Sequence, residues 1–262
     1  MKLANKIIIA AAIILMVVGI LIMAVTTGTK EFTISLEDFN TAEYENKDYK
    51  FTQTINNIEL DSSVAEVEFF VEEGDSVKVQ VRQSNRIKYD VSVEDDTLII
   101  KTKKKKGFNF FDFGAGVHVH IYHQNNTLES ITNYSSTRAV TNTNLICNDI
   151  NIDVSTGETT LKGTLVKNKL KIDSSTGCIE LIDVTAKKMD LDVSTGSVEF
   201  VNCEADEISA HASTGSISGT LKGDYIYEAS SSVGSVDVPA SNGTRRCKLS
   251  ASTGSIDIKK AK

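Results

Sequence analysis

The triplet Ser-Thr-Gly stands at Ser155-Thr156-Gly157, Ser175-Thr176-Gly177, Ser194-Thr195-Gly196, Ser213-Thr214-Gly215 and Ser252-Thr253-Gly254, with Ser232-Val233-Gly234 in the remaining slot. The six glycines, Gly157, Gly177, Gly196, Gly215, Gly234 and Gly254, follow one another at intervals of 20, 19, 19, 19 and 20 residues. A period of this length is the mark of a repeat architecture. On both sides of each glycine, apolar and polar residues alternate with period two, as strands with one buried face require. Seven residues before glycine stand Ile150, Leu170, Met189, Ile208, Tyr227 and Cys247, and four after it Leu161, Leu181, Phe200, Gly219, Val238 and Ile258. A unit this short cannot bury its apolar face alone. Stacked on its copies it forms one core, each strand pairing with its equivalent about 4.8 Å away. The expectation is an all-β solenoid over residues 131–262, with the glycines at bends of positive φ.

Residues 30–130 hold a less regular β region expected to cap and start the solenoid. Asp61 to Phe69 aligns with Asp192 to Phe200, Ala65 replacing the glycine, and Ser135-Ser136-Thr137 is a degenerate turn one period before the first full repeat. Alternating strands are expected over 76–81, 87–93, 97–102 and 117–122. At the other end only Lys259-Lys260-Ala261-Lys262 follows the last strand. The sixth turn is therefore expected to be the open end of the stack, with an unpaired edge guarded by lysines or covered by a partner or a second copy.

The N-terminal segment differs in kind. Residues 1–6 carry Lys2 and Lys6, and Ile7 to Val25 are 19 uncharged apolar or small residues. As a helix this run spans about 28 Å, one bilayer core. The positive charges before it predict a single-pass anchor with residues 1–6 in the cytoplasm and the body outside. A cleaved signal peptide is the rival reading; Ala24-Val25-Thr26 fits its cleavage site poorly. The 262 residues carry 28 basic and 35 acidic groups, and no acid precedes Glu31. Beyond the anchor the balance is 26 basic against 35 acidic, or −9. So acidic a body argues against nucleic-acid binding and for cationic partners.

The Ser-Thr-Gly turns, the copy Asp61 to Phe69, and the passage from Leu98-Ile99-Ile100-Lys101 into Val117-His118-Val119-His120-Ile121-Tyr122 resemble the bacterial "putative adhesin" β-strand-repeat family. The resemblance covers residues 30–262. It implies an extracytoplasmic repeat protein, often preceded by one membrane span, with some members linked to envelope stress. It implies no catalytic residues, ligand or cofactor.

Four groups are candidates for function. Asp153, Asp173 and Asp192 are expected in one outward column, and Glu180 and Glu199 in another. Stacked like charges repel unless screened or bridged, so these are a solvated acidic face or a ladder that a cation such as Ca²⁺ bridges. Lys103, Lys104, Lys105 and Lys106 precede Phe108, Phe110 and Phe111. This stretch is either a hairpin connection or a loop that meets anionic lipid or wall polymer. His118, His120 and His123 lack a nearby carboxylate or cysteine in sequence to complete a metal site. Cys147, Cys178, Cys203 and Cys247 are either disulfide-paired, as an even number outside the cytoplasm allows, or small core and surface residues, with Cys247 inward and Cys178 outward; their registers do not obviously match. No histidine is patterned to activate a serine. The expected role is binding without catalysis or cofactor. The partners weighed are a cationic peptide, wall polymer or a membrane protein.

Overall fold

The computed structural model describes residues 43–62, 65–72, 76–85, 87–103, 117–123, 127–137 and 139–261. The anchor expected over 7–25 lies outside these residues. Among the described residues there are strands and turns but no helix, and none that could cross a membrane as a helix.

Each repeat places a long strand before its glycine and a short one after it. The long strands are β10 (Ile146–Thr156), β12 (Leu165–Thr176), β14 (Thr185–Thr195), the second half of β15 (Val198–Thr214), β17 (Tyr225–Val233) and β19 (Arg245–Thr253). The short ones are β11 (Thr159–Lys162), β13 (Ile179–Ile182), the first half of β15, β16 (Ile217–Leu221), β18 (Val236–Asp237) and β20 (Ile256–Lys260). Long strands pair with long and short with short, in parallel and in register, so Ile152 meets Ile172, Ile172 meets Leu191, and Leu161 meets Leu181. The inward columns are sealed: Ile150, Leu170, Met189, Ile208, Leu161, Leu181 and Phe200 are all buried.

The corner glycines are required twice over. Gly157, Gly177, Gly196, Gly215, Gly234 and Gly254 have φ between 140° and 150°, a region that side chains disfavour. The turns also pack backbone on backbone. A β-carbon on Gly196 would stand 1.8 Å from the Gly177 carbonyl oxygen, and one on Gly215 would stand 1.6 Å from that of Gly196.

The stacking order departs from the chain order at both ends. β15 pairs with β19, and β19 then pairs with β17. β16 likewise pairs with β20, and β20 with β18. The sixth turn is thus inserted between the fourth and fifth. The open edge expected at the C-terminal coil belongs instead to the fifth turn, β17 and β18. Nothing in the periodicity opposes this exchange, because the fifth and sixth turns carry the same pattern of inward and outward positions. The end position explains why Tyr227, Ala229 and Val238 are only partly buried while their equivalents in inner turns are sealed.

At the front, β2 (Asn57–Ser62) lies between β6 (Thr97–Lys103) and β8 (Thr127–Thr137) in the long-strand sheet. β3 (Glu66–Val71) lies between β7 (His118–His123) and β9 (Val140–Thr143) in the short-strand sheet. The two strands of the copy, β2 and β3, therefore sit inside the stack, Asp61 beside Tyr134, which pairs with Asp153. Antiparallel strands finish this end. β5 (Lys88–Glu94) pairs with β6, while β4 (Val77–Ser84) pairs with β7 and carries β1 (Tyr44–Phe51) on its outer side.

The turn formed by β8 and β9 carries buried amides. Asn133 lies between Leu60 and Ile152, and Asn142 between Phe69 and Leu161. Both amides are fully buried and make no hydrogen bond, as do the hydroxyls of Ser135, Thr159 and Ser174.

Candidate binding faces

The long strands present a wide outer face. Asp153, Asp173 and Asp192 stand side by side on β10, β12 and β14, and His211 and Ser250 continue the row. The column is not left as bare repulsion. The Lys171 ammonium pairs with Asp173, and that carboxylate holds it above the usual lysine range. Lys169 reaches Asp190 at 3.0 Å and Lys188 reaches Glu207 at 3.1 Å, crossing between neighbouring strands. The face is a lattice of alternating charge indented by open grooves, one edged by Asp149, Asn151, Lys169 and Lys171. On the short-strand sheet Glu180 and Glu199 are direct neighbours. Thr160 donates its hydroxyl to Glu180 at 3.4 Å. Among the described residues no three His, Cys, Asp or Glu side chains converge as a metal site.

At the front of the short-strand sheet, pairing of β3 with β7 assembles a cluster that the linear sequence hides. Phe70 stacks on Tyr122 with ring centroids 5.1 Å apart, and His118 stacks on His120 at 5.0 Å. His120 reaches the Glu68 carboxylate at 3.0 Å, and Tyr122 donates to Gln80 at 3.2 Å. The Arg82 guanidinium lies 4.7 Å from the centre of the Tyr44 ring on the adjacent strand. The Phe70 and Tyr122 rings lie 17° from parallel, so each covers a face of the other. Burial holds the His118 imidazole below its usual value, with His120 and Arg82 adding to the effect and Glu66 and Glu68 opposing it. The signal in sequence is the outward parity of Phe70 after Glu66 and Glu68. His123 points the other way, buried, with Nε2 3.2 Å from the Ile55 carbonyl.

The basic and aromatic stretch lies in the chain between β6 and β7. Asp61 pairs with Lys101, and Glu66 pairs with His118. Between these paired positions the front copy has 66 − 61 = 5 steps and the next turn 118 − 101 = 17. Lys103 pairs with Asp90 at 2.9 Å. Lys104, Lys105, Lys106, Phe108, Phe110 and Phe111 lie outside the described residues.

All four cysteines are free; Cys147, Cys203 and Cys247 are buried and Cys178 is exposed. Burial pushes the Cys147 and Cys247 thiols up to about 12 and the Cys203 thiol to about 11.

Residues 55–262, from the first core residue Ile55 through the inserted last turn, match one family along their whole length. The chain belongs to the Toastrack DUF4097 family. The Toastrack region thus contains both out-of-order ends. No curated protein matches the chain. Among solved structures, a "putative adhesin" from Bacteroides fragilis is 18% identical, covering 84% of this chain and 98% of its own, with a TM-score of 0.48. A "putative lipid binding protein" from Parabacteroides distasonis is 18% identical over 84% of this chain and 97% of its own, with a TM-score of 0.46. A "putative cell adhesion protein" from Clostridium sporogenes is 14% identical over 84% and 100%, with a TM-score of 0.37.

Proposed function

We propose that this Toastrack protein is a membrane-anchored, extracytoplasmic binding module of the bacterial envelope that acts without catalysis, in the response to envelope stress. The carrying observation is the outer face of the long-strand sheet, where Asp153, Asp173 and Asp192 stand in register on adjacent strands. Asp153 and Asp192, on either side of the Lys171-paired Asp173, offer carboxylates at regular strand spacing to an extended ligand, and net −9 beyond residue 29 suits a cationic one. Cationic antimicrobial peptides are such ligands. The apolar run Ile7 to Val25, preceded by Lys2 and Lys6, supports the anchor and its orientation.

The test is binding of a cationic antimicrobial peptide to the full chain in zwitterionic nanodiscs, across a salt series. Binding is expected to weaken with salt and with Asp153→Asn plus Asp192→Asn. Absence of binding, or binding indifferent to both, overturns the reading.

One observation favours a second reading, an adhesin or binder of wall polymer or membrane surface: Lys103 to Lys106 and the phenylalanines after them lie in sequence just ahead of β7, which carries half of the aromatic cluster. Binding to anionic vesicles or wall polymer that disappears when these four lysines become glutamine would establish it. In that outcome the acidic column is plain solvation.

A further inference from the structure

We propose that the protein pairs end to end with a second copy of itself through the fifth turn, β17 and β18. Each corner glycine donates its N–H to the next turn of the stack: Gly157 to Thr176, Gly177 to Thr195, Gly196 to Thr214, Gly215 to Thr253 and Gly254 to Val233. Gly234 is the last of this series, and no described strand lies beyond it. The return link protects only the beginning of β17, where Ser241 accepts the Tyr227 N–H at 2.9 Å.

Edge strands normally carry charges that forbid pairing with another chain. The edges at the other end follow this rule. β1 has Glu45, Lys47, Asp48 and Lys50 among eight residues, and β5 has Lys88, Asp90 and Glu94 among seven. β17 has Glu228 alone among nine, and its inner neighbour β19 has three charges in the same length. Apolar exposure is concentrated here as well. Of the six large hydrophobic residues exposed among the described residues, Ile226, Val233 and Val236 belong to this turn, Val233 being 65% exposed.

The occupant follows from the shape of the edge. The terminal turn offers two strand edges joined at the Gly234 corner. A single extended peptide covers one of them; the end of another solenoid covers both. Two copies meeting through the same turn face each other across a two-fold axis, which sets their edges antiparallel and makes the contact self-limiting at the dimer.

Sedimentation velocity of the full chain in detergent, with far-UV circular dichroism to monitor folding, tests this. The wild type is expected to sediment as a dimer. Val233→Lys with Val236→Lys, and separately Ser232→Lys, place like charges across the axis at exposed positions. They are expected to weaken the dimer about 100-fold or more with the spectrum unchanged. A monomeric wild type, or a dimer that both variants leave intact, overturns the proposal.

Discussion

Gly215 donates its N–H to the Thr253 carbonyl at 2.8 Å, and Thr253 precedes a glycine 254 − 215 = 39 positions further along the chain. The turn that follows Gly215 in sequence is passed over. The last turn is therefore an internal layer whose two faces are both buried, and its removal differs in kind from trimming an end. A chain ending at Pro239 loses β19 and β20, the strands with which β17 and β18 pair in the native order. It is expected to lose cooperative folding across the C-terminal half, seen as a lost or broadened urea transition. A peeled outer layer would leave the transition sharp and slightly shifted.

The corner column predicts a steep cost for one added methyl group. Gly196→Ala combines strain at φ 144° with a contact to the Gly177 carbonyl at 1.8 Å. It is expected to destabilise by about 2–4 kcal/mol. Ser194→Ala, at an exposed position of the same turn, is expected to shift stability by less than about 0.5 kcal/mol. Urea midpoints measure both.

The unpartnered amides of Asn133 and Asn142 predict stabilising substitutions. Each lies between two apolar neighbours in register. An unsatisfied buried polar group costs about 1–3 kcal/mol. Asn133→Ile and Asn142→Leu are each expected to raise the urea midpoint by that order. A lower midpoint would show that the amides have partners in solution.

The thiols are expected to divide one to three. In the native protein a thiol reagent near neutral pH modifies Cys178 alone, because burial keeps Cys147, Cys203 and Cys247 protonated. In denaturant all four react.

Stability is also expected to fall with acid through His118. Its folded value lies below the unfolded 6.5, so between the two the unfolded chain binds more protons. The contribution is present in full above 6.5 and is lost as the pH falls through the folded value. The urea midpoint should drop as the pH falls below 6.5, and His118→Gln should flatten that drop.

The repeat, its inward columns and the partnering of Asp153 with Asp173 are legible in sequence because each follows from a fixed period and side-chain parity. The same parity puts Cys247 inside and Cys178 outside. Neighbour order is not legible: Leu249 and Ala229 occupy equivalent inward positions, and parity cannot decide which of them pairs onward with Ala210. The structure pairs Leu249 with both. The cluster of Phe70 and Tyr122 is hidden for a related reason, since it joins strands 122 − 70 = 52 residues apart through a pairing that no local pattern marks.

The order of the last turns can be measured directly with engineered cysteines in a Cys178→Ser background. Ser216, Ser255 and Ser235 form one column: the Ser255 N–H bonds to the Ser216 hydroxyl at 3.3 Å, and the hydroxyls of Ser255 and Ser235 are 3.1 Å apart. Neighbouring strands are about 4.8 Å apart, within reach of a disulfide, while alternate strands at about 9.6 Å are beyond it. Mild oxidation is predicted to cross-link Cys pairs at 216 and 255 and at 255 and 235, and to leave the pair at 216 and 235 reduced. Ready cross-linking of 216 to 235 would mean that the turns stack in chain order, contradicting the inserted last turn and the open edge derived from it.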